Sequence, residues 1–231
     1  EFHQTVLNDL ALQDSEVLKQ EIRDLFDALR KRYHTPISEH LGFEYDQIVS
    51  LGEVLSSKIL AQVLLTEKVA AQWLDARQLI RTDNHYKEGN VDWDKTTEKI
   101  QFKIEQFPDK MCFVSQGFIG HTSEGFTTTL GREGSDYSAA IIAYALTAED
   151  VTIWKDVPGM LNADPKYFSN TQLLKSISYK EAIELAYFGA SVIHPKTVKP
   201  LQNKNIKLYI KSFLNPESDG TVIQHEQIRD Q

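Results

Sequence analysis

Apolar residues recur at spacings of three and four from Leu18 to Leu29 (Leu18, Ile22, Leu25, Phe26, Leu29). That period predicts an amphipathic helix, which His34-Thr35-Pro36 ends. A second long helix is predicted from Asp46 to Leu65, with Ile48, Leu51, Leu55, Ile59 and Val63 on one face. Ala71 to Ala76 predicts a short strand, Asp83 to Asp94 a polar loop, and the segment reaching Phe107 a short helix or strand. An alternation follows. Strands are predicted at Met111 to Phe118, Val151 to Val157 and Ile206 to Phe213, and helices at Ser135 to Leu146, Ser178 to Phe188 and Lys196 to Asn203. Strand–helix–strand order of this kind predicts an α/β fold, with a largely parallel sheet covered by helices. No repeat, low-complexity segment or linker marks a second folded unit, so one domain over residues 1–231 is expected.

Composition narrows the function classes. An apolar share of 41% over 231 residues is that of an ordinary globular domain with one sizeable core. No apolar run is expected to approach the ~20 residues that span a bilayer, and no secretory signal opens the chain, so no membrane role is expected. The net charge of −8 and the dispersed basic residues argue against nucleic acid as a partner. The group Lys196, Lys199, Lys204, Lys207 and Lys211 reads as the solvated side of a helix and a strand. The single Cys112 lies in an apolar run, which excludes an intramolecular disulfide and suits a reducing, cytoplasmic compartment. It reads as a small core residue.

The candidate chemistry lies in Thr127-Thr128-Thr129-Leu130-Gly131-Arg132-Glu133-Gly134-Ser135-Asp136, between an apolar strand and an apolar helix. A Gly-containing turn that opens into a helix binds anions, because unpaired N–H groups and the positive helix end point outward. Arg132 offers a planar fork for a carboxylate or phosphate, while Asp136 would repel phosphate unless a cation intervenes. Read alone, Asp136 is as well a helix N-terminal cap, and Glu53 an ordinary surface charge.

Longer stretches raise the functional reading. Gly117-Phe118-Ile119-Gly120, the run from Thr127 to Asp136, Ile153-Trp154-Lys155-Asp156-Val157-Pro158-Gly159, Ala163-Asp164-Pro165 and Glu184-Leu185-Ala186-Tyr187-Phe188-Gly189-Ala190 closely resemble the aspartokinases, within the amino acid kinase superfamily. The resemblance runs from about Tyr45 to Ile223. It implies a three-layer α/β/α sandwich around a mainly parallel sheet. It also implies transfer of phosphate from ATP, with Mg2+ held through the phosphates and no protein metal site, to the side-chain carboxylate of L-aspartate. That reaction opens lysine, threonine and methionine biosynthesis. The family's opening Lys-Phe-Gly-Gly-Thr-Ser turn and its regulatory domains have no match, so an N-terminally incomplete catalytic domain is expected.

The same resemblance assigns residues. Arg132 and Ser135 would take the α-carboxylate of the substrate, Glu53 its amino group, and Phe118 would line the pocket. Asp136 would orient catalytic lysines. Lys155, Asp156, Leu161, Lys166, Ser191 and Val192 would contact ATP. Three positions depart from the family pattern. Glu133 stands where many relatives have glycine, and is expected to face solvent or pair with a cation. Leu161 replaces a frequent tyrosine. Ser191 stands where many relatives have a phosphate-binding lysine, and Lys155 is expected to supply the lost charge. Another amino acid kinase, for instance one acting on glutamate, and a non-catalytic module binding nucleotide and amino acid stay open, as does a homo-oligomer.

Overall fold

The computed structural model describes residues 2–10, 12, 15–107, 111–187 and 192–225. The chain divides into two compact units, Glu1–Gly131 and Arg132–Gln231. Its strands and helices make an α/β fold, as the alternation predicts.

The first unit runs α1 (Phe2–Asp9), α2 (Glu16–Tyr33), α3 (Leu41–Thr66), β1 (Ala71–Leu74), α4 (Ala76–Leu79), α5 (Trp93–Ile104), β2 (Cys112–Ser115), β3 (Ile119–His121) and β4 (Thr127–Thr129). α2 starts where Ser15 Oγ accepts the Leu18 N–H, and it buries Leu18 and Ile22 against Leu55 and Ile59 of α3. β1 and β2 pair in parallel, and β3 and β4 form an antiparallel hairpin that the apolar pattern does not announce. A row of three threonines reads as turn in sequence, yet all three are buried.

α3 corrects an expectation. By length and composition it is apolar enough to cross a membrane. It nevertheless buries Glu44, Asp46, Ser50 and Ser57, and it packs on α2, β1 and β4. Glu44, Asp46 and Ser57 find partners there, as buried polar groups generally do, whereas Ser50 Oγ has none among the described residues. Ser57 Oγ accepts from Trp73 Nε1 (2.9 Å) and Gln116 Nε2 (2.7 Å), and Gln116 Oε1 in turn accepts the Ala76 N–H at 2.8 Å. Those bonds make α3 a packing element of this unit. Cys112 is a second correction, because its side chain is exposed. It opens a four-residue strand in which only Val114 is buried.

The second unit runs α6 (Gly134–Leu146), β5 (Asp150–Lys155), β6 (Ser176–Ser178), α7 (Tyr179–Tyr187), α8 (Pro195–Lys204), β7 (Lys207–Ser212) and β8 (Thr221–Gln224). Its sheet has the order β5-β7-β8-β6. β5 and β7 are parallel, β6 and β8 are parallel, and β7 and β8 are antiparallel. Ala140, Ala143, Ile153, Val198, Leu201, Leu208, Ile210 and Ile223 share one buried core, and the small residues on α6 let it approach α8 closely. Tyr179 is buried with its hydroxyl donating to the Ile206 carbonyl.

Candidate functional site

The turn into α6 is built by unusual backbone. Gly131 has φ +81° and Glu133 φ +53°. The left-handed region suits glycine and strains other residues, so Glu133 occupies a position that asks for Gly. Glu133 is the residue that caps α6, and it makes no side-chain cap bond. Its Oε2 is shielded from solvent and has no hydrogen-bond partner among the described residues. That oxygen neither faces solvent nor has a described partner, in a side chain that is itself half-buried. Arg132 and Ser135 are exposed on this turn. With no side chain capping the first turn of α6, its leading N–H groups stay available to an anion.

Asp136, one residue further, is the member of this turn with a charged partner. Lys155 Nζ lies 2.7 Å from Asp136 Oδ2, and the two side chains are 21% and 16% exposed. Lys155 is the last residue of β5. Its carbonyl accepts the Phe213 N–H at 2.9 Å, and it pairs in register with Ser212 of β7, so the base of its side chain is held. The structure thus brings together the carboxylate expected to orient lysines and the lysine expected to replace a lost charge. That pairing joins the start of a helix to the carboxyl end of a parallel strand, the edge where α/β sheets bind ligands.

The other expected nucleotide residues follow in the same unit. Asp156 is exposed just after β5. The turn then passes Gly159 (φ +142°), where an added Cβ would stand 2.6 Å from Thr221 Oγ1, the atom that accepts the Met160 N–H. Leu161 is half-buried and bridges to Leu173. Lys166 is exposed, its N–H donating to Asp164 Oδ1 at 2.8 Å. Val192 packs at the edge of the core. Ser191 lies outside the described residues.

Glu53 and Phe118 belong to the first unit. Glu53 is half-buried on α3, and burial pushes its carboxyl above the usual carboxylate range. Phe118 takes φ +71° and packs against Val54, Ala76 and Ile119, and its carbonyl accepts the Leu130 N–H at 2.8 Å.

Two residues that no motif suggested hold β4, the strand leading to the anion turn. Asp46 is fully buried. Its Oδ2 accepts the N–H groups of Lys87 (2.8 Å) and Thr129 (2.9 Å), and its Oδ1 accepts the Thr129 hydroxyl at 2.8 Å. Gln47 donates to the Thr127 carbonyl (2.7 Å) and accepts the Thr127 N–H at 3.2 Å. α3 thereby stands in for a neighbouring strand along β4. An Asp-Gln pair near the start of an apolar helix was the available signal, and in sequence it looks like ordinary solvated polarity.

Comparison with known proteins places the chain in a family. The Amino acid kinase family matches residues 5–212. The Lysine-sensitive aspartokinase 3 of Escherichia coli (strain K12) is 38% identical over 178 residues, 77% of this chain and 40% of that protein. The Aspartokinase of Rickettsia prowazekii (strain Madrid E) is 38% identical over 181 residues, 78% of this chain and 40% of that protein. The crystal structure of E. coli aspartokinase III in complex with aspartate and ADP (R-state) superposes with a TM-score of 0.86 at 33% identity, over 93% of this chain and 48% of that one. The chain thus spans less than half the length of these relatives. With its family match over residues 5–212 and an α/β fold that superposes on a solved aspartokinase, the chain belongs to the amino acid kinase family.

Proposed function

We propose that this chain provides the catalytic core of an aspartate kinase, which transfers the γ-phosphoryl group of ATP to the side-chain carboxylate of L-aspartate. The bond from γ-phosphorus to the β-phosphate oxygen breaks, a bond to the carboxylate oxygen forms, and ADP and 4-phospho-L-aspartate leave. No general base is needed, since a carboxylate with an ordinary pKa near ~4 is already ionised. Catalysis is then placement of two anions and neutralisation of their charge.

The observation that carries this reading is the turn into α6, with free helix N–H groups, exposed Arg132 and Ser135, and the Asp136–Lys155 pair behind them. The relative solved with aspartate and ADP supports it. In this reading Arg132 forks the α-carboxylate with Ser135 beside it. Glu53 takes the amino group, whose positive charge would offset the cost of its burial, and Phe118 lines the pocket. Lys155, Asp156, Leu161, Lys166 and Val192 serve the nucleotide. Among the described residues no cluster of three or more His, Cys, Asp or Glu is poised for a metal. In this reading magnesium arrives on the phosphates of ATP.

Acyl phosphate trapped with hydroxylamine, with aspartate and glutamate compared as acceptors, tests the reading. Hydroxamate formed from aspartate is expected. MgATP binding without any acyl phosphate would instead make the protein a binding module. Arg132→Ala should lower kcat/KM for aspartate about thirtyfold or more, the effect of losing a charge-assisted bidentate contact of about 2–5 kcal/mol. ATP affinity should change little, and Arg132→Lys should recover only part of the loss. Loss of ATP binding with an unchanged aspartate KM would reverse the assignment.

A further inference from the structure

We infer that Lys155 is a phosphate-contacting cation held in waiting by Asp136, an exchangeable ion pair in which Asp136 is the positioning residue. The inference rests on the kinase reading above. Its starting point is the 2.7 Å contact at the carboxyl end of β5, with both side chains mostly but not fully withdrawn from solvent. The ammonium has three donors, and Asp136 is its one charged partner among the described residues. Asp136 Oδ2 accepts no directed hydrogen bond, so the ammonium keeps donors for an incoming anion.

A purely structural role explains the pair poorly. Asp136 Oδ2 is shielded from solvent and accepts no directed hydrogen bond, so the pair is held by charge rather than by a fixed bond geometry. Asp136 does not need the lysine to be held, because it sits in the first turn of α6, where the helix end favours negative charge. Nor does the backbone of Lys155 need it, being fixed by β7 and Phe213. The ammonium can therefore turn towards a second anion while it keeps its contact with Asp136.

The pair also resolves a conflict at the helix end. Free N–H groups there attract phosphate, and an unpaired Asp136 carboxylate would repel it. With Lys155 bound, that carboxylate is neutralised, and the ammonium stands where polyphosphate would approach. On nucleotide binding the ammonium shifts from sharing with Asp136 alone to bridging Asp136 and phosphate oxygens. A four-carbon stem on a fixed strand end permits that movement without a backbone change.

The test measures MgATP affinity by calorimetry, kcat by hydroxamate formation, and Tm, for Lys155→Met, Lys155→Arg, Asp136→Asn and the double variant. Lys155→Met should weaken MgATP binding or lower kcat tenfold or more while Tm stays within about 2 °C, and Lys155→Arg should restore part of that loss. Asp136→Asn should keep MgATP affinity within about threefold, because the ammonium is released rather than removed, yet lower kcat. The two substitutions should be strongly non-additive, as expected of one unit. Lys155→Met with unchanged MgATP affinity and kcat overturns the inference and leaves the kinase reading standing. A fall in Tm that accounts for all the lost activity, or strictly additive effects, overturns it equally. A wild-type protein that binds no MgATP and forms no acyl phosphate sinks both.

Discussion

At Glu133, a carboxylate sits in left-handed backbone (φ +53°) with one oxygen shielded and unpartnered. Both features cost stability, the first by steric strain and the second by desolvation. Glu133→Gly removes both, at the cost of a more flexible unfolded chain. Urea unfolding should accordingly show a gain of about 0.5–1 kcal/mol. A loss of stability would mean that the carboxylate has a favourable role. Three positions away Asp136 Oδ2 is likewise shielded and accepts no directed hydrogen bond, but its charge is offset by Lys155 Nζ at 2.7 Å. One turn thus holds a strained, uncompensated acid and a compensated one, and neighbouring groups alone make the difference.

At the scale of elements, the α3–β4 junction is the connection most exposed to a single change. Asp46 serves two N–H groups and a hydroxyl from inside the core. Removing it strands the buried N–H and hydroxyl of Thr129, each costing about 1–3 kcal/mol. Asp46→Ala should therefore destabilise the first unit by about 2–4 kcal/mol. Asp46→Asn should cost less than half as much. Its carbonyl can occupy the Oδ2 position and keep both N–H bonds, while its amide donates to the Thr129 hydroxyl, which can reverse its role. Chemical denaturation of the two variants checks this. Equal losses would show that the negative charge itself, rather than the acceptor geometry, is what β4 needs.

At the scale of the whole molecule, the titrating groups are unequally shared between the two units. Glu44 is held well below the usual carboxylate range by the Arg32 guanidinium and the Ser38 N–H. His121 is held below the usual imidazole range, chiefly by burial. Both belong to the first unit. For each, the unfolded chain takes up protons at a higher pH than the folded one. The stability involved is complete above the unfolded pKa values and is lost as pH falls, first below about 6.5 for His121 and then below about 4.5 for Glu44. In the second unit, burial pushes Tyr179 up to about 12, so its contribution is lost only as pH rises from about 10 towards 12. Acid should therefore loosen residues 1–131 before residues 132–231. Hydrogen-exchange mass spectrometry with labelling pulses at one pH, after incubation between pH 7 and pH 4, reads this directly. Earlier loss of protection in the second unit would refute it.

Periodicity along the chain determined α2, α3, α6, α7 and α8, because each buries an apolar face whose spacing is local and visible. Long ordered motifs likewise determined the family. Local pattern did not reveal the β3–β4 hairpin, because its short strands are buried through threonines rather than branched apolar side chains. Nor did it reveal why α3 buries Asp46 and Ser57, since a buried polar residue looks like a surface one until its partners are placed. Cys112 went the other way, exposed despite apolar neighbours, because a strand of four residues covers only part of itself. The Lys155–Asp136 contact was decided by folding alone. Nineteen positions separate the two residues, and only the return of the chain from α6 into β5 brings a lysine's ammonium to a helix-terminal carboxylate.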